Sequence, residues 1–217
     1  MLHRRPFRIN PTGNMGFHLP SCPESMRPHA TKVFAGEYDA PINFYTPPDI
    51  LDLGSNVGAF TLWAASRWPG AKIMAYEPHP DNAAAWSVNC AALVASNQAS
   101  LIQAAVTDRD GETDLHDGMN NCGEASVVFQ HATTVQKVRT VAAQQLPTCQ
   151  VLKLDTEGCE PMILTHYPHV AGCPLIVLEF HSIPDRDAIT KLLEPSHRLC
   201  ELRNWRPNTG IMKWMKR

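Results

Sequence analysis

The feature that most constrains the fold is a repeated exchange between short apolar runs and helix-like stretches, which begins after Pro48. Each apolar run is short enough to be one buried strand, and a helical periodicity follows the first two runs. Such a rhythm predicts an α/β sheet built from strand-helix units. The expected strands are residues 50–53, 72–76, 100–106, 151–154 and 175–180, and the expected helices are residues 60–68 and 82–95.

Three regions depart from that rhythm. Residues 1–47 are rich in proline and polar residues around a Thr-Gly-Asn turn signal, which predicts a hairpin or an irregular cap on the core. Residues 107–148 carry the glycine-containing loop DGMNNCGE and are expected to form an insertion beside the carboxyl edge of the sheet. Two apolar pieces around Arg-Pro-Asn-Thr-Gly predict a closing hairpin. We therefore expect an N-terminal extension over 1–47 and a core domain over 48–217.

Composition bounds the class of protein. The 217 residues are 44% hydrophobic and 18% charged, with a net charge of -2, as in ordinary soluble globular proteins. This charge gives no reason to expect a nucleic-acid partner, and the basic N-terminus is not followed by a stretch apolar enough for a signal peptide or a membrane span. A cytoplasmic protein without a membrane partner is expected. Seven cysteines without a C-x-x-C pair predict reduced, mostly buried thiols.

The junction DILDLGSNVGAF joins the first predicted strand to the first predicted helix. In α/β sheets, ligands bind beyond the carboxyl ends of the strands, where N–H groups at a helix start can meet them. Gly54 and Gly58 allow a tight turn and the close approach of a ligand, and Asp52 places a carboxylate at the strand end. The spacing differs from the G-x-G-x-x-G fingerprint of pyrophosphate binding, and the acid would repel a diphosphate. A cationic or zwitterionic ligand is favoured.

A second acid, Glu77, ends the next predicted strand in the segment KIMAYEP. A carboxylate at this place can accept hydrogen bonds from both hydroxyls of an adenosine ribose. An acid at a strand end is often merely solvated, so Glu77 alone is weak evidence. Its place after the glycine turn favours a role in ligand binding.

Four segments resemble, in their order along the chain, the FkbM type of S-adenosylmethionine-dependent methyltransferases, a branch of the Rossmann-like class I methyltransferases. They are DLGSNVGAF, AYEPHPDN, AAVTDRDGE and LKLDTEGCEPMIL. The first two are common to many class I methyltransferases, whereas Lys-Leu-Asp-Thr-Glu-Gly followed by Glu160 is closer to the FkbM pattern. The resemblance covers roughly residues 34–179.

The resemblance implies a mostly parallel seven-stranded sheet with an antiparallel C-terminal hairpin and helices on both faces. It also implies binding of S-adenosylmethionine, with S-adenosylhomocysteine as the product. Ser55 and Asn56 are expected to donate hydrogen bonds to the methionine carboxylate, Glu77 to bind the ribose, and Ala105 with Val106 to lie beside the adenine. The full set of expected cofactor-binding residues is Asp52, Gly54, Ser55, Asn56, Gly58, Glu77, Pro78, Ala105, Val106 and Asp155.

Methyl transfer to a hydroxyl requires an aligned nucleophile and a group that takes its proton. Asp155 and His181, in the segments LDTEG and LEFH, are the expected catalytic residues, since an adjacent carboxylate raises the basicity of a histidine. Glu157, Glu179, His181 and Asn121 are the expected substrate-binding residues. For Glu157, capping of the next helix is an equal alternative. These acids and the histidine also leave a Mg²⁺ site open, but without an Asp-Asn pair after Asp155 no metal is expected.

The leading functional hypothesis is O-methylation of a hydroxyl on a small molecule, such as a sugar or a secondary metabolite. An RNA or protein methyltransferase and a non-catalytic S-adenosylmethionine-binding protein are the alternatives. The absence of an Asn/Asp-Pro-Pro-Tyr turn argues against a nucleobase acceptor, and the basic residues near the C-terminus form no clear stripe. The missing phosphate loop argues against a nicotinamide oxidoreductase.

Overall fold

A computed structural model describes residues 7–9, 17–116, 125–128 and 134–217. Twelve strands and six α-helices follow one another in these ranges. They are β1 (Phe7–Ile9), β2 (Phe17–Leu19), α1 (Arg27–Phe34), β3 (Asp49–Leu53), α2 (Ala59–Arg67), β4 (Lys72–Tyr76), α3 (Pro80–Asn89), α4 (Ala91–Ala95), β5 (Ala99–Ile102), β6 (Ala105–Thr107), β7 (Gly111–His116), β8 (Val135–Ala142), β9 (Val151–Leu154), α5 (Glu160–His166), β10 (Leu175–Phe180), α6 (Ile183–Leu193), β11 (His197–Arg206) and β12 (Thr209–Lys216).

A seven-stranded sheet forms the centre of the molecule, with the strand order β11-β12-β10-β9-β3-β4-β5. The five strands from β10 to β5 run parallel. Strand β12 is antiparallel to both of its neighbours, β10 and β11. The sequence prediction of a mostly parallel seven-stranded sheet with an antiparallel C-terminal hairpin is confirmed.

The register of the central strands brings three chain segments to one edge. Leu53, the last residue of β3, pairs with Tyr76 of β4 on one side and with Leu154 of β9 on the other. The residues that follow these three strands therefore emerge side by side at the carboxyl edge of the sheet. They are Gly54, Glu77 and Asp155.

Helices cover both faces of the sheet. Successive residues of a strand point to opposite faces, so the apolar residues of one strand are divided between two cores. Ile50 of β3 packs in one hydrophobic core with residues of α1, α2 and α3. Leu51 and Leu53 pack in a second core with residues of α5 and α6. The burial of all of β9, and of β10 except Glu179, follows from this double cover.

Two predicted elements are each divided in the structure. The strand predicted over 100–106 becomes β5 and β6, because the chain bends where the Ala104 amide bonds to the Ile102 carbonyl (3.0 Å). Strand β6 then joins a separate three-stranded sheet in the order β6-β8-β7. The helix predicted over 82–95 becomes α3 and α4, since the backbone leaves the helical range at Cys90.

The N-terminal segment packs on the first face of the sheet. Strands β1 and β2 pair antiparallel, as a hairpin requires, while the turn predicted between them lies outside the described residues. Met26, Phe34 and Tyr38 belong to the same core as α2 and α3. All six described cysteines are free and five of them are buried. No helix in the described part of the chain has both the length and the apolar character that a membrane crossing needs.

Candidate active site

A cleft opens at the carboxyl edge of the sheet. It lies between the turn after β3, the end of β4, the start of the three-stranded sheet and the loop after β9. The lining residues are Gly54, Asn56, Tyr76, Glu77, Pro78, Asn82, Ala104, Ala105, Val106, Leu115, Ala125, Val127, Asp155, Thr156, Glu157 and Cys159. Three acids, Glu77, Asp155 and Glu157, therefore share the cleft with a largely apolar set of neighbours.

Glu77 is held rigidly at one end of this cleft. Its carboxylate accepts hydrogen bonds from the amides of Asn56 (2.8 Å) and His79 (2.9 Å) and from the side chain of Asn82 (3.4 Å). Burial raises the pKa of Glu77, against these hydrogen bonds, which lower it. A carboxylate has about four acceptor positions, so Glu77 keeps acceptor capacity on the side that faces the cleft.

Other parts of the protein pack directly against Gly54 and Gly58 of the turn after β3. A Cβ on Gly54 would lie 1.8 Å from the carbonyl oxygen of Asp155, and one on Gly58 would lie 2.7 Å from Cys90 Sγ. Both glycines have positive φ angles, 76° and 89°. The sequence led us to explain these glycines by the close approach of a ligand, but the protein atoms nearest to them belong to Asp155, which follows β9, and to Cys90, which follows α3. The glycines serve the packing of the cleft floor.

Backbone donors of the turn are also engaged within the protein. The amides of Gly54 and Ser55 both bond to the Tyr76 carbonyl (3.0 and 2.9 Å), and that of Asn56 bonds to Glu77. The donors left for a ligand are the side chains of Ser55 and Asn56. The Ser55 hydroxyl is buried and has no hydrogen-bond partner among the described residues.

Below the cleft, Asp52 forms a buried pair with Lys153. The two residues are direct neighbours on β3 and β9, so their side chains share one face of the sheet. Lys153 Nζ lies 3.4 Å from Asp52 Oδ1 and donates to the Gly54 carbonyl (2.5 Å), while Thr61 donates to Asp52 Oδ2 (2.7 Å). Burial lowers the pKa of Lys153, but Asp52 and other acids outweigh it and raise that pKa. Asp52 is fully buried and does not line the cleft.

The loop 155–159 forms the opposite end of the cleft and is fastened by Glu160. Glu160 Oε1 accepts hydrogen bonds from the amide (2.6 Å) and hydroxyl (3.0 Å) of Thr156, and Oε2 accepts one from the Gly158 amide (3.0 Å). The Ser126 hydroxyl donates to the Glu157 carbonyl from the segment 125–128 (2.6 Å). The loop is therefore held on two sides.

His181 lies among three carboxylates. Its Nδ1 is 3.1 Å from Glu157 Oε2, and its Nε2 is 3.6 Å from Glu160 Oε1 and 3.8 Å from Asp155 Oδ1. Burial lowers the pKa of His181, but Glu160, Glu157 and Asp155 outweigh it and raise that pKa well above its usual value. The three carboxylates therefore favour the protonated, imidazolium form of His181.

Glu179 is the remaining acid at this edge, and it is tied to the N-terminal segment. The hydroxyl of Tyr38 donates a hydrogen bond to Glu179 Oε1. Burial and the nearby charge of Asp155 raise the pKa of Glu179 well above its usual value. Glu179 therefore favours its neutral form more strongly than an exposed glutamate does.

Most of the predicted site residues come together at this edge. Gly54, Asn56, Glu77, Pro78, Ala105, Val106, Asp155 and Glu157 line the cleft, and Glu179 and His181 stand next to Asp155. Asp52, Ser55 and Gly58 lie in the buried layer beneath it. Asn121 lies outside the described residues.

Three residues that shape the site were not predicted from the sequence, namely Tyr38, Lys153 and Glu160. Lys153 carried a signal that could have found it, since a lysine within the apolar run VLKL must find a buried partner. Glu160 stood in the quoted motif without a role. Tyr38 offered no sequence signal.

The side chains of the site bear on two possible ligands, a nucleoside and a metal ion. A buried free hydroxyl on Ser55, acceptor capacity on Glu77 and apolar walls fit a zwitterionic nucleoside such as S-adenosylmethionine. One ligand atom each from Asp155, Glu157 and His181 lie within 4.8 Å of one another, a spacing that could hold a metal ion. Both ring nitrogens of His181 already face carboxylate oxygens, so an imidazolium ion accounts for that cluster.

The fold of this chain is shared by several solved structures. Similar solved structures are the FkbM methyltransferase of Methylobacillus flagellatus KT (14% identity, TM-score 0.63) and the precorrin-6y C5,15-methyltransferase of Geobacter metallireducens GS-15 (12%, 0.50). A third is the ribosomal protein L11 methylase of Lactobacillus delbrueckii subsp. bulgaricus (12%, 0.50). The matches cover 83%, 88% and 87% of this chain and 47%, 89% and 79% of those chains, so this chain spans about half of the first protein. The fold is that of the Rossmann-like methyltransferases.

The family follows from the sequence. The model of the methyltransferase FkbM domain matches residues 52–208. The chain belongs to the FkbM methyltransferase family, as its resemblance in four segments predicted. No curated protein matches the sequence significantly.

Proposed function

We propose that this methyltransferase uses S-adenosylmethionine to methylate a hydroxyl group of a small molecule. The observation that carries the proposal is the cleft with Glu77 at one end and Asp155 at the other, joined by the glycine turn. Its walls suit a nucleoside, and the acids at its two ends suit ribose hydroxyls and a positively charged reactive group. S-adenosylmethionine, when bound, supplies a methyl group on a sulfonium centre.

Each part of the cleft would hold one part of that cofactor. Glu77 would accept hydrogen bonds from the ribose hydroxyls, and Ala105 and Val106 would contact the adenine. The side chain of Asn56, which lines the cleft, would donate to the carboxylate of the methionine portion, because its amide is already engaged. The Ser55 hydroxyl lies in the buried layer beneath it. Asp52 and Gly58 would support the cleft lining from below without contacting the cofactor.

Asp155 is our candidate for the group that takes the proton of the acceptor hydroxyl. It lines the cleft with a side chain that is 26% exposed, and Lys153 Nζ stands 3.7 Å from its carboxylate. His181 was the other candidate base, but the carboxylates of Asp155, Glu157 and Glu160 around its ring favour the protonated form, which cannot accept a proton. We assign His181 the role of a cation that orients Asp155 and Glu157, and Glu179 that of a hydrogen-bonding group for the acceptor.

Calorimetric titration with S-adenosylmethionine, S-adenosylhomocysteine and NAD tests the cofactor assignment. Micromolar binding of the first two without binding of NAD is expected, and failure of both to bind would refute it. Turnover is then screened with hydroxylated sugars and phenols against amine-bearing analogues. Equal rates with EDTA and with added Mg²⁺ are expected, since no metal is assigned. Turnover of amines alone would overturn the O-methylation proposal.

Asp155→Asn separates the chemical step from cofactor binding. The substitution keeps the shape of the side chain but replaces the carboxylate that would accept the proton by an amide that cannot. We expect turnover to fall by roughly 10²-fold or more, as for loss of a general base, while the affinity for S-adenosylhomocysteine changes little. Turnover within a few-fold of the unaltered enzyme would exclude Asp155 as the base.

A further inference from the structure

Glu160 is a fully buried acid whose two oxygens both point back into the loop that precedes its own helix. Oε1 accepts two hydrogen bonds from Thr156, and Oε2 accepts one from the Gly158 amide. The helix that Glu160 begins is only seven residues long. All three donors precede the helix, so these hydrogen bonds hold the loop and do not cap the amides of the helix itself.

The loop needs such support because of its backbone conformation. Glu157 has a φ of +54° and Gly158 one of +106°, so two successive residues lie in the left-handed region. A residue with a Cβ persists there only where its surroundings hold it. Glu160 accepts hydrogen bonds from Thr156 and Gly158, the residues directly before and after Glu157, and so holds the backbone on both sides of it.

This conformation decides where the polar groups of the site stand. It turns the Glu157 carboxylate toward His181 Nδ1 (3.1 Å) and leaves Asp155, Thr156 and Glu157 along the cleft. Glu160 Oε1 itself lies 3.6 Å from His181 Nε2. One buried carboxylate thus contacts both the loop and the histidine that faces the loop. Burial raises the pKa of Glu160, but His181 and the amide donors outweigh it and lower that pKa, so Glu160 keeps its charge.

We propose that Glu160 is a positioning residue of the active site, whose carboxylate sets the conformation of loop 155–159 and fixes His181 against it. The proposal rests on the proposed function, because that loop lines the cleft assigned to S-adenosylmethionine. Glu160 does not line the cleft, so it acts through Asp155, Glu157 and His181. A residue that only capped the helix would change stability without changing the cleft.

Glu160→Gln is the first test, with Glu201→Gln as the matched control. Glu201 also pairs with a cation, Lys213 Nζ at 2.8 Å, but lies on β11 away from the loop. Gln at position 160 lacks the charge that faces His181 and cannot accept from Gly158 with its amide nitrogen. In Glu160→Gln, the dissociation constant for S-adenosylhomocysteine should rise, because loop 155–159 lines the cleft and is no longer held in place. A rise of roughly tenfold is expected if the loop loses the stabilisation of about one charged hydrogen bond.

Two further readouts do not depend on the cofactor. Hydrogen exchange of the Thr156 and Gly158 amides should quicken in Glu160→Gln, and the ring signals of His181 in NMR spectra at pH 7 should move toward those of neutral imidazole. Glu201→Gln should match the unaltered protein in all three measurements. A folded Glu160→Gln protein with unchanged exchange and unchanged ring signals overturns the proposal, and so does one with reduced stability alone.

Glu160→Asp decides the matter if Glu160→Gln does not fold. It keeps the charge but is one methylene too short to accept all three hydrogen bonds, so faster amide exchange with a still protonated His181 is expected. Unchanged exchange in that variant also overturns the proposal. If the unaltered protein fails to bind S-adenosylhomocysteine, the proposed function fails by itself, while exchange and ring signals still test the role of Glu160.

Discussion

The hydroxyl of Tyr38 donates a hydrogen bond to Glu179 and thereby ties the N-terminal segment to the end of β10. Tyr38 is 2% exposed, and its ring packs edge-on against Phe60 at 5.3 Å. The next residue is held as well, since Lys213 donates to the Asp39 carbonyl (2.6 Å). Tyr38 precedes the 52–208 stretch that matches the family model, so part of the site is built from outside that stretch.

Tyr38→Phe tests whether this contact serves the site. The variant keeps the ring and removes the donor to a buried carboxyl group, which should lower the free energy of unfolding by about 1–3 kcal/mol in urea titrations. Tyr167→Phe is the control, because Tyr167 is equally buried and donates to the Pro147 carbonyl (2.7 Å) away from the cleft. Turnover should fall only in Tyr38→Phe. Equal turnover in the two variants would show that the contact is merely structural.

Glu77→Ala should weaken the binding of S-adenosylmethionine by about 1–3 kcal/mol, the cost of losing a buried charged hydrogen-bond acceptor. The exposed Glu112 on β7 supplies the control, as Glu112→Ala removes the same charge outside the cleft lining. Calorimetry measures both. Unaltered affinity in Glu77→Ala would count against the ribose assignment.

Gly54→Ala should be the most damaging single change at this edge. The new Cβ would lie 1.8 Å from the Asp155 carbonyl, and the φ of +76° is strained for alanine. We expect a loss of more than about 3 kcal/mol in the free energy of unfolding, or no folding at all. Gly172→Ala, where a Cβ meets nothing within 4 Å, should change that free energy by less than about 1 kcal/mol. Thermal unfolding of both variants measures the difference, and similar midpoints would refute the packing account.

The pH dependence of stability tests the charge of His181. Its folded pKa is raised above the unfolded value, so the stability it contributes is fully present below about pH 6.5 and is lost as pH rises through the folded pKa. Between pH 7 and 8.5 the free energy of unfolding should fall more steeply in the unaltered protein than in His181→Gln. The slopes should differ by up to about 1.4 kcal/mol per pH unit. Parallel slopes in urea titrations would mean that His181 is neutral in the folded protein.

Local patterns predicted the strands and the edge where the site lies. The acids after β4 and β9 were found because a strand end fixes where the following residue emerges. Partners distant along the chain were not predicted. Asp52 was expected to face a ligand, yet it pairs with Lys153, 101 positions later, and the register that joins them appears only in the assembled sheet. Tyr38 and Glu179 are separated by 141 positions for the same reason.

The contact between Gly54 and the Asp155 carbonyl has a consequence for how such an enzyme can acquire new acceptors. Gly54 belongs to the turn that would hold the cofactor, and Asp155 to the loop that would face the acceptor. Because these two segments are in contact, a mutation that reshapes one of them disturbs the other. Ala125 and Val127 line the cleft outside this contact and offer a more independent route to change. A directed-evolution library aimed at a new acceptor would therefore diversify those two positions and leave both loops intact.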